Sequence, residues 1–136
     1  MSPHAAAEID GVKITSAKIN RPKTSNDLVI EGAGGLLVPI SSKETIADLI
    51  KSSDKIIVVS RHYLGSINHT LLSLEALKNR GLNIFGIIFN GEKNDFSESV
   101  ILKLTGVSCL GRIDDEPYFD KNVVREYAEG FKNKLV

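Results

Sequence analysis

Four short apolar runs recur along the chain, with room for a helix between some of them. They are Leu28–Ile30, Lys55–Ser60, Ile84–Phe89 and Val107–Ile113. Two stretches within them, Ile56–Val59 and Ile87–Phe89, are continuously apolar rather than alternating. That pattern is typical of strands covered on both faces, as in parallel α/β sheets. The sequence therefore predicts four strands of a mostly parallel sheet.

The connecting segments carry helix signals. Ser41 and Glu44 offer a capping box before a short helix whose apolar face holds Ile46, Leu49 and Ile50. Three longer helices are predicted, from an N-cap at Ser66 to Gly81, from Asp95 to Gly106, and from about Asp120 to Phe131. The order from Leu28 onward is β-α-β-α-β-α-β-α, which predicts a doubly wound, three-layer α/β/α fold in one domain over residues 1–136. Residues 1–26 form an irregular polar lead-in with room for one short helix.

The composition and the distribution of charge indicate a globular domain and argue against nucleic acid as a partner. Seventeen acidic residues balance seventeen basic ones, 42% of the residues are apolar and 25% are charged, as in one soluble globular domain. The bases are scattered singly, so there is no basic stripe for a phosphate backbone, and nucleic acid is not expected as a partner.

No membrane segment or export signal is expected either. The most apolar window, Leu28–Ile40, is broken by Glu31 and three glycines and is shorter than the roughly 20 residues that span a bilayer. The amino terminus lacks a basic region followed by an apolar one, so no secretory signal is predicted. A lone cysteine, Cys109, suits a reducing compartment and is predicted to be a small buried hydrophobe. We therefore expect a cytoplasmic protein.

In open α/β sheets the ligand crevice lies at the carboxyl ends of the strands, so the residues after each run are informative. The first run is followed by Glu31 and the glycine-rich stretch Gly32–Gly35. An unpaired carboxylate costs several kcal/mol to bury, so Glu31 belongs near solvent, a cation or a metal. It could coordinate Mg²⁺ while the glycines let phosphate oxygens approach the backbone. A structural turn with an exposed glutamate explains the same residues equally well.

The second run leads into a helix near Ser66, and the free N–H groups of a helix start can bind a carboxylate or phosphate. An ordinary capped helix is the alternative. His62 and His69 have no zinc-ligand spacing and are predicted to be surface histidines. Asn90 follows the third run; its amide could pair with an adenine edge, or it could simply form an Asn-Gly turn with Gly91. The acidic stretch Asp114–Glu116 is predicted, on its own, to be a solvated turn.

Taken in order, these stretches resemble the dethiobiotin synthetase family. The resemblance is carried by Ser2-Pro3-His4, by the Glu31–Gly35 turn with Val38-Pro39 after it, by Leu64–His69, and by Asn90 at a strand end. It covers the chain from Ser2 to at least Ile113. The family's fold is of the P-loop NTPase type, so the resemblance implies that fold, incomplete at its amino-terminal end.

The resemblance implies an ATP- and Mg²⁺-dependent cyclo-ligase of biotin biosynthesis. Such an enzyme builds the ureido ring of dethiobiotin from 7,8-diaminononanoate and carbon dioxide or bicarbonate. A carbamate forms first, ATP phosphorylates it, and the neighbouring amine closes the ring with release of phosphate.

Site roles follow from the same resemblance. Glu31 is expected as a metal ligand. The expected nucleotide-binding residues are Glu31, Gly32, Ala33, Gly34, Asn90, Gly91, Asp114, Asp115 and Glu116. The expected substrate-binding residues are Ser2, Pro3, Leu64, Gly65, Ser66, Ile67 and Asn68. The helix start at Leu64–Asn68 receives the substrate carboxylate across a two-fold interface in this family, so a homodimer is implied.

The chain also departs from the family pattern. A strand and a phosphate loop of the G-x-x-x-x-G-K-[ST] kind open the family's sequences, and that motif occurs nowhere in these 136 residues. The lysines that act on the phosphates and carbamate belong to that segment, so no catalytic residue is assigned and the chain alone is expected to be inactive. Without that interior strand, ladder groups of the sheet are expected to be exposed. Smaller departures are Leu36, where an aromatic is frequent, and Asp114, where a proline is usual.

Two alternatives remain on the sequence alone. One is a non-catalytic module that keeps the dimer surface and binds substrate or nucleotide without reaction. The other is a cobyrinate-type amidoligase of the same superfamily, which can share the Glu-Gly-Ala-Gly turn, although Leu64–His69 argues against it.

Overall fold

The computed structural model describes residues 1–135, which fall into two compact units. The first unit is Met1–Ser52, and the second begins at Ser53. Helix α1 (Pro3–Ile9) opens the first unit. Proline suits the first position of a helix because its missing N–H would have no intrahelical partner there. The short helix expected before residue 26 is therefore confirmed, while the single-domain assignment over residues 1–136 stays a prediction.

The strand expected at Leu28–Ile30 is absent. These three residues have no regular secondary structure and are exposed, with Val29 at 91%. A strand is stable only when its N–H and C=O groups pair with a neighbour, and no described strand pairs with this run. Three apolar residues followed by a glycine-rich turn cannot compensate for those missing hydrogen bonds.

The capping box lies four residues later than predicted. The N–H and hydroxyl of Thr45 both donate to Asp48 Oδ2, at 2.6 and 2.8 Å, and open the 3₁₀ helix Ile46–Leu49. The predicted pair is only partly formed: the Glu44 N–H donates to the Ser41 hydroxyl at 3.1 Å, while the Glu44 carboxylate accepts the N–H of Ser16 at 3.1 Å and the Ser16 hydroxyl. These bonds to Ser16, which begins a second 3₁₀ turn (Ser16–Lys18), hold the pKa of Glu44 below its usual range.

The second unit is a parallel sheet with helices between its strands. Strands β1 (Ile56–Arg61) and β2 (Ile84–Asn90) pair in parallel, as do β2 and β3 (Cys109–Ile113), so the strand order is β1-β2-β3. The α/β class and incomplete sheet expected from the sequence are confirmed. The elements are β1 (Ile56–Arg61), α2 (Ser66–Asn79), β2 (Ile84–Asn90), α3 (Asp95–Thr105), β3 (Cys109–Ile113) and α4 (Lys121–Phe131).

Both faces of the central strand β2 are covered. Ile87 and Phe89 pack with Leu74 of α2 and Ile101 of α3 in one buried cluster. Ile88 points to the opposite face, since side chains alternate along a strand, and packs with Leu110 and Phe131. Helices α2 and α3 therefore cover one face of the sheet and α4 covers the other, which gives three layers.

Strand β1 differs from its prediction because only one of its faces is covered. Val58 packs against the α2 and α3 cluster, but Val59 is 64% exposed and Ile57 is exposed too. Helix α4 packs on β3, and the side of β1 that carries Ile57 and Val59 stays exposed. Cys109 is also exposed, at the start of the outer strand β3, so its predicted burial is wrong.

The helix ends agree well with the sequence. Asn94 caps α3 by accepting the Ser97 N–H at 2.9 Å, and Gly106 ends that helix with φ of +68°. Asp120 caps α4 through two N–H groups of its first turn. Local capping groups decide these ends, which is why a sequence alone can predict them.

Candidate functional site

A polar cavity of about 380 Å³ opens at the carboxyl ends of the three strands. The strands are parallel, so the loops that follow them meet at this one edge, as in other open α/β sheets. The lining combines the last residue of β1 with residues that follow β1, β2 and β3. They are Arg61, His62, Gly91, Glu92, Lys93, Asn94 and Asp115.

Asn90 and Gly91 form a turn that closes the end of β2. The Asn90 Nδ2 donates to the Ile113 carbonyl at 3.1 Å, and the Gly91 N–H donates to the same oxygen at 2.9 Å. Gly91 has φ of +94°, a conformation that favours glycine. The Asn-Gly turn anticipated as one alternative is therefore present. Because only one Nδ2 proton is used, the Asn90 amide keeps its Oδ1 acceptor and one further N–H donor.

The acidic stretch after β3 is held by Tyr127 of α4. The Tyr127 hydroxyl donates to Glu116 Oε1 at 2.6 Å and accepts the Asp114 N–H at 3.1 Å. The bond to Glu116 raises the pKa of Tyr127. Asp114 and Asp115 are exposed, as expected for a solvated turn, and Asp115 lies 3.9 Å from Arg61. Glu116, by contrast, is half-buried and partnered.

His62 is not the surface histidine that the sequence suggested. Its side chain is only 12% exposed and stacks on Phe89 with ring centroids 5.7 Å apart. Its Nε2 lies 3.0 Å from Glu98 Oε1, and its Nδ1 is buried without a partner among the described residues. Burial, followed by the positive charge of Arg112, lowers the pKa of His62 below 6.5. His69 is exposed as predicted and lies within hydrogen-bond distance of the Tyr63 hydroxyl, at 2.5 Å.

Acid should destabilise the second unit partly through His62. Because the pKa of His62 falls on folding, the unfolded chain binds more protons between that lowered value and 6.5. Above pH 6.5 the ring is neutral in both states and does not lower the free energy of unfolding. As the pH falls below 6.5, protonation of the unfolded chain lowers the free energy of unfolding. This decrease stops once the ring is also protonated in the folded state. His62→Phe keeps an aromatic ring against Phe89 but cannot titrate, so its urea-unfolding midpoint should fall less between about pH 7.5 and 5. His69→Phe is the control; an equal pH slope in His62→Phe and wild type would contradict this expectation.

The start of α2 is formed by residues 64–68. Gly65, with φ of +94°, is the N-cap, so the expected N-cap at Ser66 is wrong by one residue. Ser66 is buried and its N–H donates to the Tyr63 carbonyl at 2.9 Å. A buried hydroxyl pair missed in the sequence, Ser60 and Thr70 at 2.8 Å, ties the helix to β1. The first-turn N–H groups of such a helix lack intrahelical partners, so an anion can bind there.

The glycine-rich turn lies in the first unit. Glu31 is exposed and follows no strand, while Gly34 and Gly35 adopt φ of +82° and +118°. A Cβ on Gly32 would lie 2.7 Å from the Ile46 side chain, so close packing also requires glycine. Ser2 and Pro3 belong to this unit too, at the start of α1, where the Ser2 hydroxyl lies 2.8 Å from His4 Nδ1.

The expected site residues therefore fall into two groups. Asn90, Gly91, Asp114–Glu116 and Leu64–Asn68 lie at the ends of strands or at the helix that follows in the second unit, and Gly91 and Asp115 line one cavity. Ser2, Pro3 and Glu31–Gly34 belong to the first unit. Among residues 1–135, no cluster of three or more histidine, cysteine, aspartate or glutamate side chains could hold a metal. Glu31 is a single exposed carboxylate, so its role as a ligand of Mg²⁺ stays a prediction.

Comparison with known proteins assigns the family. A family model described as an AAA domain matches residues 1–123. The chain belongs to this family. It is 62% identical over 135 residues to an ATP-dependent dethiobiotin synthetase of Christiangramia forsetii, and that match covers 99% of the chain and 65% of the relative. Proteins of the same name from Cytophaga hutchinsonii and Nitrobacter hamburgensis are 51% and 43% identical, over 94% and 96% of the chain and 63% and 62% of the relatives.

These matches confirm the resemblance to dethiobiotin synthetases. The chain spans a little under two thirds of the length of these curated relatives. None of the helices among the described residues is both long and apolar enough to cross a bilayer.

Proposed function

We propose that this AAA-domain chain is the part of a dethiobiotin synthetase that recognises the nucleotide base and the substrate carboxylate. The observation that carries the proposal is the cavity at the strand ends, which Gly91 lines and which Asn90 immediately precedes in the chain. The similarity to proteins named ATP-dependent dethiobiotin synthetase supports it. Biotin biosynthesis in the cytoplasm is the proposed setting.

The nucleotide base would pair with Asn90. Its free Oδ1 and remaining N–H match the N6 donor and N7 acceptor of adenine, whereas guanine presents two acceptors at that edge. Gly91 would let the base approach the backbone, and Asp114, Asp115 and Glu116 would lie beside the base and ribose. In the first unit, Gly32, Ala33 and Gly34 would offer backbone N–H groups to the phosphates, and Glu31 would be a ligand of Mg²⁺.

The substrate 7,8-diaminononanoate would place its carboxylate at the start of α2, on Leu64–Asn68. Unpaired N–H groups and the helix dipole favour an anion there. The proposed homodimer would build this site from two copies. The full exposure of Leu64 and the exposure of Tyr63 support a covered surface in the assembly. Ser2 and Pro3 would complete the substrate pocket.

In the proposed reaction, one substrate amine adds to carbon dioxide and loses a proton to give a carbamate. The γ-phosphoryl group of ATP transfers to a carbamate oxygen and leaves ADP. The second amine then attacks the carbamoyl carbon, phosphate departs, and the ureido ring closes. Bound Mg²⁺ would neutralise the phosphate charge. The residues of this chain bind and orient the base and the carboxylate, while the phosphate-gripping lysines would lie outside these 136 residues.

The decisive experiment is a turnover assay of the chain with 7,8-diaminononanoate, bicarbonate and Mg-ATP. We expect no dethiobiotin above the level without protein, because phosphoryl transfer depends on a positioned phosphate loop and its lysine, and the G-x-x-x-x-G-K-[ST] motif does not occur in these residues. Calorimetric titration of the same sample should nevertheless show that Mg-ADP binds. Robust product formation would contradict the proposed inactivity, and absence of Mg-ADP binding would contradict nucleotide recognition. Binding of the diamine alone would favour a non-catalytic module.

A further inference from the structure

Glu98, in the first turn of α3, accepts three hydrogen bonds on one oxygen. Its Oε1 lies 3.0 Å from His62 Nε2 and accepts the Asn94 N–H at 3.1 Å. The same oxygen accepts a hydrogen bond from the Arg112 guanidinium. These donors follow or belong to β1, the loop after β2, and β3. One carboxylate oxygen therefore connects all three strand ends that surround the cavity.

Arg112 extends the connection to both walls of the cavity. Its guanidinium also donates to the Gly91 carbonyl and lies 3.5 Å from Asp114 Oδ1. The Gly91 carbonyl belongs to the turn that follows Asn90, and Asp114 begins the acidic stretch on the opposite side. A guanidinium offers five donors in a fixed plane, so it can serve several acceptors at once only while its orientation is held. Glu98 supplies the charge that holds it.

The side chains around Glu98 are more buried than the other charged side chains that line the cavity. The side chains of His62, Glu98 and Arg112 are 12%, 14% and 18% exposed, whereas Arg61 and Lys93 are mostly exposed. Exposed ion pairs contribute little to a fixed geometry, but a partly buried charge that loses its partner is costly. The buried side chains of His62, Glu98 and Arg112 can therefore fix the loops that line the cavity, whereas the exposed side chains of Arg61 and Lys93 cannot.

We propose that Glu98 is a positioning residue for nucleotide binding, which acts through Arg112 and Asn94 to fix the loop after β2. Neutral His62 donates its Nε2 proton to the same carboxylate and completes the group. The inference rests on the proposed nucleotide site, and it assigns Glu98 no contact with the ligand. Its effect is on the fraction of molecules whose Asn90-Gly91 turn is ready to bind.

Glu98→Ala should weaken Mg-ADP binding to the chain about tenfold, since it removes the buried carboxylate that orients Arg112 and accepts the Asn94 N–H, and so frees the loop. Glu98→Gln keeps an acceptor for the Asn94 N–H but lacks the charge, so it should lose only about threefold. Glu75→Ala, at an exposed acid on α2, is the matched control and should bind as wild type does. Calorimetry gives the affinities, and amide hydrogen exchange at Asn94 and Gly91 should be faster in Glu98→Ala.

The outcomes separate the two proposals. Unchanged affinity and unchanged exchange at Asn94 and Gly91 in a folded Glu98→Ala chain would overturn the positioning role. A lower urea midpoint with unchanged affinity would also overturn it, because that result marks a purely structural residue. If Glu98→Ala does not fold, Glu98→Gln takes its place with the same readouts. If the wild-type chain does not bind Mg-ADP, nucleotide recognition fails, and the exchange rates still decide whether Glu98 fixes the loop.

Discussion

Asn90→Asp is expected to reduce the affinity of the chain for Mg-ADP about a hundredfold, which corresponds to about 2.7 kcal/mol. The substitution keeps the shape of the side chain and exchanges the Nδ2 donor for an acceptor. That atom faces the Ile113 carbonyl at 3.1 Å, so two acceptors would meet where a hydrogen bond stood. The turn loses a bond, and the adenine edge loses a donor. Losses of about 1–3 kcal/mol are typical of each.

The matched control for this experiment is Asn83→Asp. Asn83 is exposed and immediately precedes β2, so the same chemical change is made at the opposite end of the strand. It should leave the affinity within about twofold of wild type, as expected for surface substitutions. Calorimetric titration with Mg-ADP and then Mg-GDP should show a preference for the adenine nucleotide that Asn90→Asp reduces. Equal affinities of Asn90→Asp and wild type would show that another group reads the base.

Phe89→Ala should lower the free energy of unfolding of the second unit by about 3–5 kcal/mol, the usual cost of deleting a buried phenylalanine ring. Phe89 is fully buried in the α2 and α3 face of the sheet, and His62 stacks on its ring. The substitution would leave a cavity and remove the surface that supports His62. Many domains are only 5–15 kcal/mol stable, so a large share of the molecules would unfold in mild urea.

Tyrosine fluorescence during urea unfolding measures this effect without interference from the first unit. All three tyrosines follow residue 53, and the chain has no tryptophan. Phe96→Ala is the control, because Phe96 is 90% exposed and its removal leaves no cavity. A Phe89→Ala midpoint close to that of Phe96→Ala would show that the cluster is not packed as described.

Features set by neighbouring residues could be predicted from the sequence. The ends of α3 and α4 depend on Gly106 and Asp120, and both act within one helical turn. Asp115 and Gly91 could be placed at one edge because parallel topology brings strand ends together. A few adjacent residues determine each helix end, and the order of the elements along the chain determines which residues share an edge of the sheet.

Features that depend on distant partners could not be predicted. The apolar run Leu28–Ile30 matches a strand in composition, but strand formation depends on a paired neighbour that no local pattern reveals. His62 carries no local sign of burial, since Glu98 lies 36 residues away and Phe89 belongs to another strand. The position of Cys109 on an outer strand likewise depends on the order of strands in the sheet.

The uncovered flank of β1 has a practical consequence. Within the described residues this strand pairs only with β2, and Ile57 and Val59 stand exposed beside it. A bare row of backbone donors and acceptors next to apolar side chains is a template on which another polypeptide can add a strand. A further strand can therefore pair along this flank of β1.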